Sequence, residues 1–161
     1  MQGLQQFIAF AGTAKHGGFA AAAREQGVDL GLDAPDGPLP LLGEPDLLRE
    51  ALANLLHNAI RHGGAGCHVT LVVRAEPDGA VQMSVVDDGP GLPPEDLCRA
   101  GERFFRGRGG ASPGSGLGLA IVRTVAQRHD GRMQVSAGPG ARGLAVTITL
   151  LPPPTFPSVP G

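Results

Sequence analysis

Two asparagines one helical turn apart are the first residues whose chemistry stands out. Asn54 and Asn58 lie in EALANLLHNAIRHG, a stretch that otherwise has ordinary helical patterning. Asparagine is a poor helix former and is costly to bury without hydrogen-bond partners. Its amide oxygen is a hard, neutral ligand suited to Mg²⁺, which shares its coordination shell with phosphates. Asn58 can therefore supply a metal ligand, and Asn54 can reach the same ion or a terminal phosphate. Two solvent-facing asparagines would give the same pattern.

A carboxylate at the end of an apolar run is the second chemical feature. In VVDDGPG, Asp87 closes the run and is followed by Gly89 and Gly91. Such a carboxylate can accept a hydrogen bond from an exocyclic amine, as adenine provides, and the glycines let the backbone turn tightly beside a flat ligand. A plain Asp-Gly turn is the other interpretation. Asp87 and Asp88 diverge if both lie on the strand, so a carboxylate dyad is not predicted.

Two glycine-rich segments complete the set. GSGLGL, residues 114–119, precedes a predicted helix, where free backbone N–H groups and the positive end of the helix suit a polyphosphate. GERFFRGRGG, residues 101–110, places three arginines near such phosphates, and its two phenylalanines are apolar anchors for a lid. Each segment alone is also compatible with a flexible loop.

The elements that must position these residues follow from periodicity and turn signals. Acidic residues at the start and Gly63–Gly64 at the end delimit the asparagine-bearing helix, which has an apolar stripe (Leu48, Leu52, Leu55, Ala59) and a polar stripe (Glu50, Asn54, Asn58, Arg61). The predicted elements in chain order are a strand at Val28–Pro35 with a short second strand in PLPLL, the helix from Pro45 to Gly63, a hairpin turning at Pro77–Gly79, a Gly- and Arg-rich lid, a helix closed at Gly131, and a final hairpin.

The order ββ–α–ββ–lid–α–ββ lacks a regular βαβ alternation. It predicts an α+β fold, a two-layer α/β sandwich whose mixed, mostly antiparallel sheet is covered by helices on one face. The predicted limits are an N-terminal linker or helix remnant at 1–27, a domain at 28–152, and a disordered Pro-rich tail at 153–161.

Composition narrows the function classes. The chain has 161 residues, a formal charge of −2 and neither Trp nor Tyr, which argues against a nucleic-acid-binding role. Cys67 and Cys98 fit no zinc pattern and indicate free thiols in a reducing, cytoplasmic setting. No apolar run approaches the length of a membrane span.

The order of the motifs resembles one family. A helix with NLLHNAIRHG, a strand ending in DxGxG, an F-rich lid and GSGLGLAIV are similar to the N, G1, F and G2 boxes of sensor histidine kinases. These kinases belong to the GHKL ATPase superfamily with gyrase B, MutL and heat-shock chaperone ATPases. The resemblance covers about Val28 to Pro152 and implies the Bergerat ATP-binding fold with a mobile lid.

The resemblance implies a role for each matching residue. Asn58 resembles the Mg²⁺ ligand, and Asp87 resembles the carboxylate that reads the adenine amine. The remaining residues implied are Asn54 on the phosphate side, with Glu50 as a helper; Arg61 and His62 near the phosphates and ribose; Gly89 and Gly91 at the base; Gly114, Ser115, Gly116, Leu117 and Gly118 in the phosphate loop; and Arg106 on the lid.

The resemblance also implies a functional consequence of having Asn at position 54. Hydrolysing members of the superfamily carry a water-activating Glu at this position, and an amide cannot act as a general base near neutral pH. We therefore expect the site to bind ATP with Mg²⁺, to hydrolyse it slowly, and to transfer the γ-phosphoryl group to a histidine. The implied partners are a histidine-bearing dimerisation domain of the same kinase and a downstream response regulator. We expect the fragment to be a monomer on the cytoplasmic side of an inner-membrane sensor.

Two departures keep alternatives open. Gly101 stands where the lid of the family has its first aromatic residue. No phospho-acceptor box is present, since His16 in AKHGGFA lacks an acidic neighbour and a helical frame. A serine kinase of the anti-sigma type is the first alternative, and a non-catalytic nucleotide-binding module is the second; Asn54 disfavours a hydrolysing ATPase.

Overall fold

Five strands form one sheet in the order β1–β2–β3–β5–β4. The computed structural model describes residues 18–36, 43–100 and 118–152. The strands are β1 (Asp29–Asp33), β2 (His68–Ala75), β3 (Val81–Asp87), β4 (Arg132–Ala137) and β5 (Leu144–Leu150). The helices are α1 (Gly18–Gln26), α2 (Pro45–Gly63), the single-turn α3 (Pro94–Leu97) and α4 (Gly118–Arg128), and a 3₁₀ turn spans Pro139–Ala141.

The sheet is mixed, as predicted. β1 runs parallel to β2, and every other neighbouring pair is antiparallel. Alternate residues of β2, β3 and β5 are buried, and α2 and α4 pack on the sheet and on each other. The predicted α+β sandwich with helices over a mostly antiparallel sheet is therefore confirmed.

Helix α2 has the predicted limits and the predicted apolar stripe. It starts at Pro45, where a missing N–H costs no helical hydrogen bond, and Gly64 ends it with a φ of 86°. The stripe residues Leu48, Leu52, Leu55 and Ala59 are all at most 5% exposed. Burying a leucine side chain contributes about 2 kcal/mol, so this stripe fixes the rotation of α2 and aims its polar stripe away from the sheet.

Both hairpins lie where the turn residues predict them. The β2–β3 turn closes with Glu76 N–H bonded to the Ala80 carbonyl at 2.8 Å and with Gly79 at a φ of 88°. Helix α4 was predicted to close at Gly131, and its last residue in the structure is Arg128. Asp130, just after the helix, adopts the left-handed conformation with a φ of 55°. Gly131 follows it and donates to the Ala126 carbonyl at 2.8 Å.

Helix α1 precedes the predicted domain limit at Val28 and packs on the same core. Ala23 is 2% exposed within the main hydrophobic cluster, and the Phe19 ring lies 4.6 Å from the ring of His57 on α2. His57 is on the exposed side of its helix. The predicted limits remain a prediction.

Several predicted features lie outside the described residues. They are the strand in PLPLL, the lid with its arginines and phenylalanines, the start of the phosphate loop, the tail 153–161 and His16. In the part of the chain that the structure describes, no helix is long and apolar enough to cross a membrane.

Candidate functional site

Asp87 lies buried at the end of β3, where the sequence predicts a carboxylate. Asp87 is 7% exposed, and its Oδ1 accepts a hydrogen bond from the Gly89 backbone N–H at 3.0 Å. The Leu144 backbone N–H donates to the same carboxylate. Burial raises the pKa of Asp87, and these two hydrogen bonds oppose the rise. The group is therefore a desolvated acceptor, held by backbone donors.

Glycines let three backbone segments meet around Asp87. A Cβ on Gly89 would lie 2.8 Å from Cα of Gly63, at the end of α2, and a Cβ on Gly91 would collide with the Gly143 carbonyl. A Cβ on Gly143 would lie 2.8 Å from Asp87 Oδ1. A side chain at position 89 or 91 would collide with neighbouring backbone, so packing alone requires glycine at both positions. This is independent of the predicted role of the two glycines beside a flat ligand.

The polar stripe of α2 holds both asparagines. Asn54 Nδ2 donates to the Glu50 carbonyl at 2.9 Å, which turns its Oδ1 toward the start of α4. A Cβ on Gly118, the first residue of α4, would lie 3.8 Å from that oxygen. Within the described ranges, no hydrogen bond engages the half-buried Asn58 amide, whereas the Glu50 residue is exposed. Both amide oxygens are therefore available to a ligand.

The end of α2 brings two further predicted residues near the carboxylate. Arg61 and His62 occupy its last turn. Desolvation and the positive charge of Arg61 lower the pKa of His62, while Asp87 raises it. The imidazole and the carboxylate are therefore close enough to interact electrostatically.

One helix connects the two halves of the site. Gly63 contacts the loop after Asp87, and Asn54 faces the N-terminus of α4. Gly63 comes nine positions after Asn54 on the helix, about 13.5 Å along the axis. An extended ligand with a base at one end and anionic groups at the other fits this arrangement.

The donor set suits a hard cation held by oxygen. In the described part of the chain, no three His, Cys, Asp or Glu residues converge as a metal site. The unengaged amide of Asn58 fits Mg²⁺, which binds few protein ligands and keeps water and phosphate oxygens. Of the predicted phosphate loop, Gly118 alone is described; Gly114, Ser115, Gly116, Leu117 and Arg106 lie outside the described residues.

Three residues that contact Asp87 or its neighbour Asp88 are not predicted from the sequence. Gly143 and Leu144 arrive from the β4–β5 hairpin, and Asp88 binds His68 at the start of β2. The glycine-rich SAGPGARG turn and the paired aspartates were visible signals. Their partners are distant in sequence, so neither signal identified a role.

Comparison with known proteins assigns the fold and the motifs to one family. The family model described as histidine kinase-, DNA gyrase B- and HSP90-like ATPase matches residues 43–154. The sensor-like histidine kinase SenX3 of Mycobacterium tuberculosis is 43% identical over 132 residues, covering 80% of this chain and 32% of SenX3. The sensor histidine kinase CpxA of Escherichia coli is 39% identical over 134 residues, covering 81% and 28%. The chain thus spans about a third of the length of these curated relatives.

Solved structures agree with these relatives. The mycobacterial sensor histidine kinase MprB superposes with a TM-score of 0.77 at 28% identity, covering 92% of this chain and 95% of that one. Full-length ShkA in complex with AMPPNP superposes with a TM-score of 0.72 at 28% identity, covering 89% and 28%. The chain belongs to the histidine kinase-, DNA gyrase B- and HSP90-like ATPase family, and the relatives that it matches are sensor histidine kinases.

Proposed function

We propose that the chain binds ATP and Mg²⁺ along α2 and donates the γ-phosphoryl group to a histidine on a separate dimerisation domain. The observation that carries this proposal is the placement of two functional ends on one helix. The buried Asp87 carboxylate lies beside the end of α2, and the Asn54 oxygen faces the start of α4.

Asp87 selects the base in this proposal. The Asp87 carboxylate is desolvated, so a hydrogen bond donated by the ligand stabilises the complex. A ligand oxygen at the same place would face a carboxylate oxygen with no hydrogen between them, which is unfavourable. Adenine offers an exocyclic amine at this edge, whereas guanine and hypoxanthine offer a carbonyl oxygen. The backbone donors from Gly89 and Leu144 hold the carboxylate in place before the ligand arrives.

The middle of α2 holds the phosphates. Asn58 supplies an oxygen ligand to Mg²⁺, and the ion, when bound, neutralises phosphate charge during transfer. Asn54 keeps its Oδ1 toward the N-terminus of α4, whose backbone N–H groups favour anions. Arg61 and His62 add donors at the ribose side of the same helix. Gly114, Ser115, Gly116, Leu117 and Arg106 are proposed to complete the phosphate site.

The side chains of α2 favour transfer to imidazole over hydrolysis. Water needs a base to become a good nucleophile, and the Asn54 amide, already donating to the Glu50 carbonyl, cannot serve as one. A neutral imidazole nitrogen attacks phosphorus directly, forms the N–P bond and releases ADP as the β–γ bridging bond breaks. Glu50 lies one turn before Asn54 and is a candidate helper on the exposed side.

The remaining parts of the system are proposed from the relatives. The acceptor histidine is placed on a dimerisation domain of the same kinase, and a response regulator receives the phosphoryl group next. The domain is proposed to work on the cytoplasmic side of an inner-membrane sensor, as a monomer when isolated.

A phosphotransfer assay tests the proposal. The chain is incubated with γ-labelled ATP, Mg²⁺ and the dimerisation domain of the kinase from which it comes. We expect label on that domain, lost when its acceptor histidine is replaced by Gln or when Asp87→Ala is used. The product should be labile in acid and stable in base, as a phosphoramidate is. An acid-stable, base-labile ester would indicate a serine kinase, and ATP binding without any transfer would leave a nucleotide-binding module.

A further inference from the structure

Asp88, the neighbour of the base-reading carboxylate, makes several hydrogen bonds that the proposed nucleotide chemistry does not use. Its Oδ1 accepts from the His68 backbone N–H at 2.6 Å, and its Oδ2 lies 2.9 Å from His68 Nδ1. The Cys67 thiol lies beside this carboxylate and donates to the His68 carbonyl at 3.4 Å. The backbone N–H of His68, followed by the thiol and the imidazole, holds the pKa of Asp88 well below its usual range. Asp88 is therefore an ionised acceptor at neutral pH.

These bonds extend the β2–β3 ladder beyond its last strand pair. The register ends with Val69 opposite Asp87, and the next step joins the Asp88 backbone N–H to the His68 carbonyl at 3.3 Å. The Asp88 side chain then returns to the His68 N–H. The backbone on the far side of Asp87 is thus tied to β2 in both directions, immediately before Gly89.

The contribution of this contact is geometric rather than electrostatic. The side chains of His68 and Asp88 are 64% and 46% exposed, and exposed ion pairs contribute little to stability. His68 Nε2 also lies 3.8 Å from Asp29, so the ring sits between two carboxylates. Two bonds from one short side chain, one of them to a backbone amide, restrict the torsions of the residue next to Asp87. A functional carboxylate needs such support, because a misplaced acceptor discriminates poorly.

We propose that Asp88 is a positioning residue for base selection: by tying the end of β3 to the start of β2, it sets the direction in which Asp87 presents its carboxylate. The inference rests on the proposed function, because it requires that Asp87 reads the base. It predicts that Asp88 affects which nucleotide binds, and not merely how stable the fold is.

The test compares dissociation constants for ADP and inosine diphosphate by calorimetry. Inosine diphosphate carries an oxygen where adenine carries the amine. The variants are Asp88→Ala and the control Asp78→Ala, whose carboxylate accepts the Ala80 N–H at 2.9 Å at the opposite end of the same two strands. We expect wild type and the control to prefer ADP by at least about tenfold, and Asp88→Ala to lose about tenfold of its preference, as a displaced acceptor would.

The outcomes separate the inference from the proposed function. An unchanged preference in a folded Asp88→Ala protein overturns the inference, and so does an equal loss in Asp78→Ala, which would indicate general destabilisation. If Asp88→Ala does not fold, Asp88→Ser is measured instead, because its single oxygen cannot accept from both His68 nitrogens. Failure of the wild type to bind ADP overturns the proposed function, and the inference with it.

Discussion

Gly143 lies in the β4–β5 turn and contacts Asp87, so replacing it by Ala should displace the Asp87 carboxylate. The new Cβ would lie 2.6 Å from the Asp87 carbonyl carbon and 2.8 Å from its Oδ1, and Gly143 has a φ of 71°. Ordinary contact begins at 3.4 Å, and the new Cβ would also overlap the Asp87 carbonyl oxygen, so the two segments must move apart. Left-handed backbone costs a side chain about 1–2 kcal/mol, and overpacking adds about 1–3 kcal/mol. Together these costs predict a loss of about 2–5 kcal/mol in unfolding free energy.

Gly140→Ala is the matched control for this prediction. Gly140 lies in the same turn at a φ of 65°, and nothing lies within 4 Å of its Cβ position. The control therefore carries the backbone strain, about 1–2 kcal/mol, without the collision. Urea unfolding measures the difference between the variants, and calorimetry with ADP measures the effect on Asp87, for which we expect binding at least about tenfold weaker in Gly143→Ala. Equal stability and equal ADP affinity in the two variants would show that the Cβ at position 143 does not displace Asp87.

Three further predictions concern the supports of the site. His129→Ala should lose about 1 kcal/mol in urea unfolding, because His129 Nε2 accepts the Glu44 N–H at 2.9 Å at the start of α2. Cys67, whose pKa burial raises to about 11, should react with iodoacetamide at pH 8 far more slowly than exposed Cys98 in mass spectra. The pKa of Asp88 is lower in the folded protein than its value of 3.8 in the unfolded chain, so the ionised carboxylate stabilises the fold. This stabilisation is fully present above pH 3.8 and is lost as the pH falls toward the pKa in the folded protein.

Each of these predictions has its own control. Gln127→Ala, at an exposed position two residues earlier, should leave stability unchanged; a loss equal to that of His129→Ala would argue against a cap. Equal labelling of both cysteines in the native protein would contradict the burial of Cys67. For Asp88, thermal unfolding of wild type and Asp88→Ala is followed from pH 7 to pH 2. A difference in stability that does not shrink below about pH 4 would contradict the assigned sign.

Local patterns were sufficient to predict most of the fold. The apolar stripe of α2, its Pro45 start and its Gly64 end are encoded within one segment, as is the hairpin at Pro77–Gly79. The order of these segments then predicted a two-layer sandwich of helices on a mostly antiparallel sheet, and the strand pairing confirms it. Asp87 was located because a strand end followed by glycines is itself a local signal.

The contacts that hold the site together could not be predicted in the same way. Gly143 meets Asp87 only because β5 pairs with β3, and His68 meets Asp88 across 20 residues. His129 reaches Glu44 across 85 residues. Tertiary packing decides such pairs, and a turn glycine or an Asp-Asp pair has the same local appearance whether or not it has a distant partner.

Binding of nucleotide and Mg²⁺ along α2 is tested by thermal unfolding with ADP, with and without Mg²⁺, on wild type and Asn58→Ala. A ligand at about 100 times its Kd stabilises the native state by about 2.7 kcal/mol, a clear shift in Tm. We expect a Mg²⁺-dependent shift in wild type that is lost in Asn58→Ala, while the two proteins unfold alike without nucleotide. No shift in wild type at millimolar nucleotide, or an undiminished Mg²⁺-dependent shift in the variant, would contradict this proposed binding.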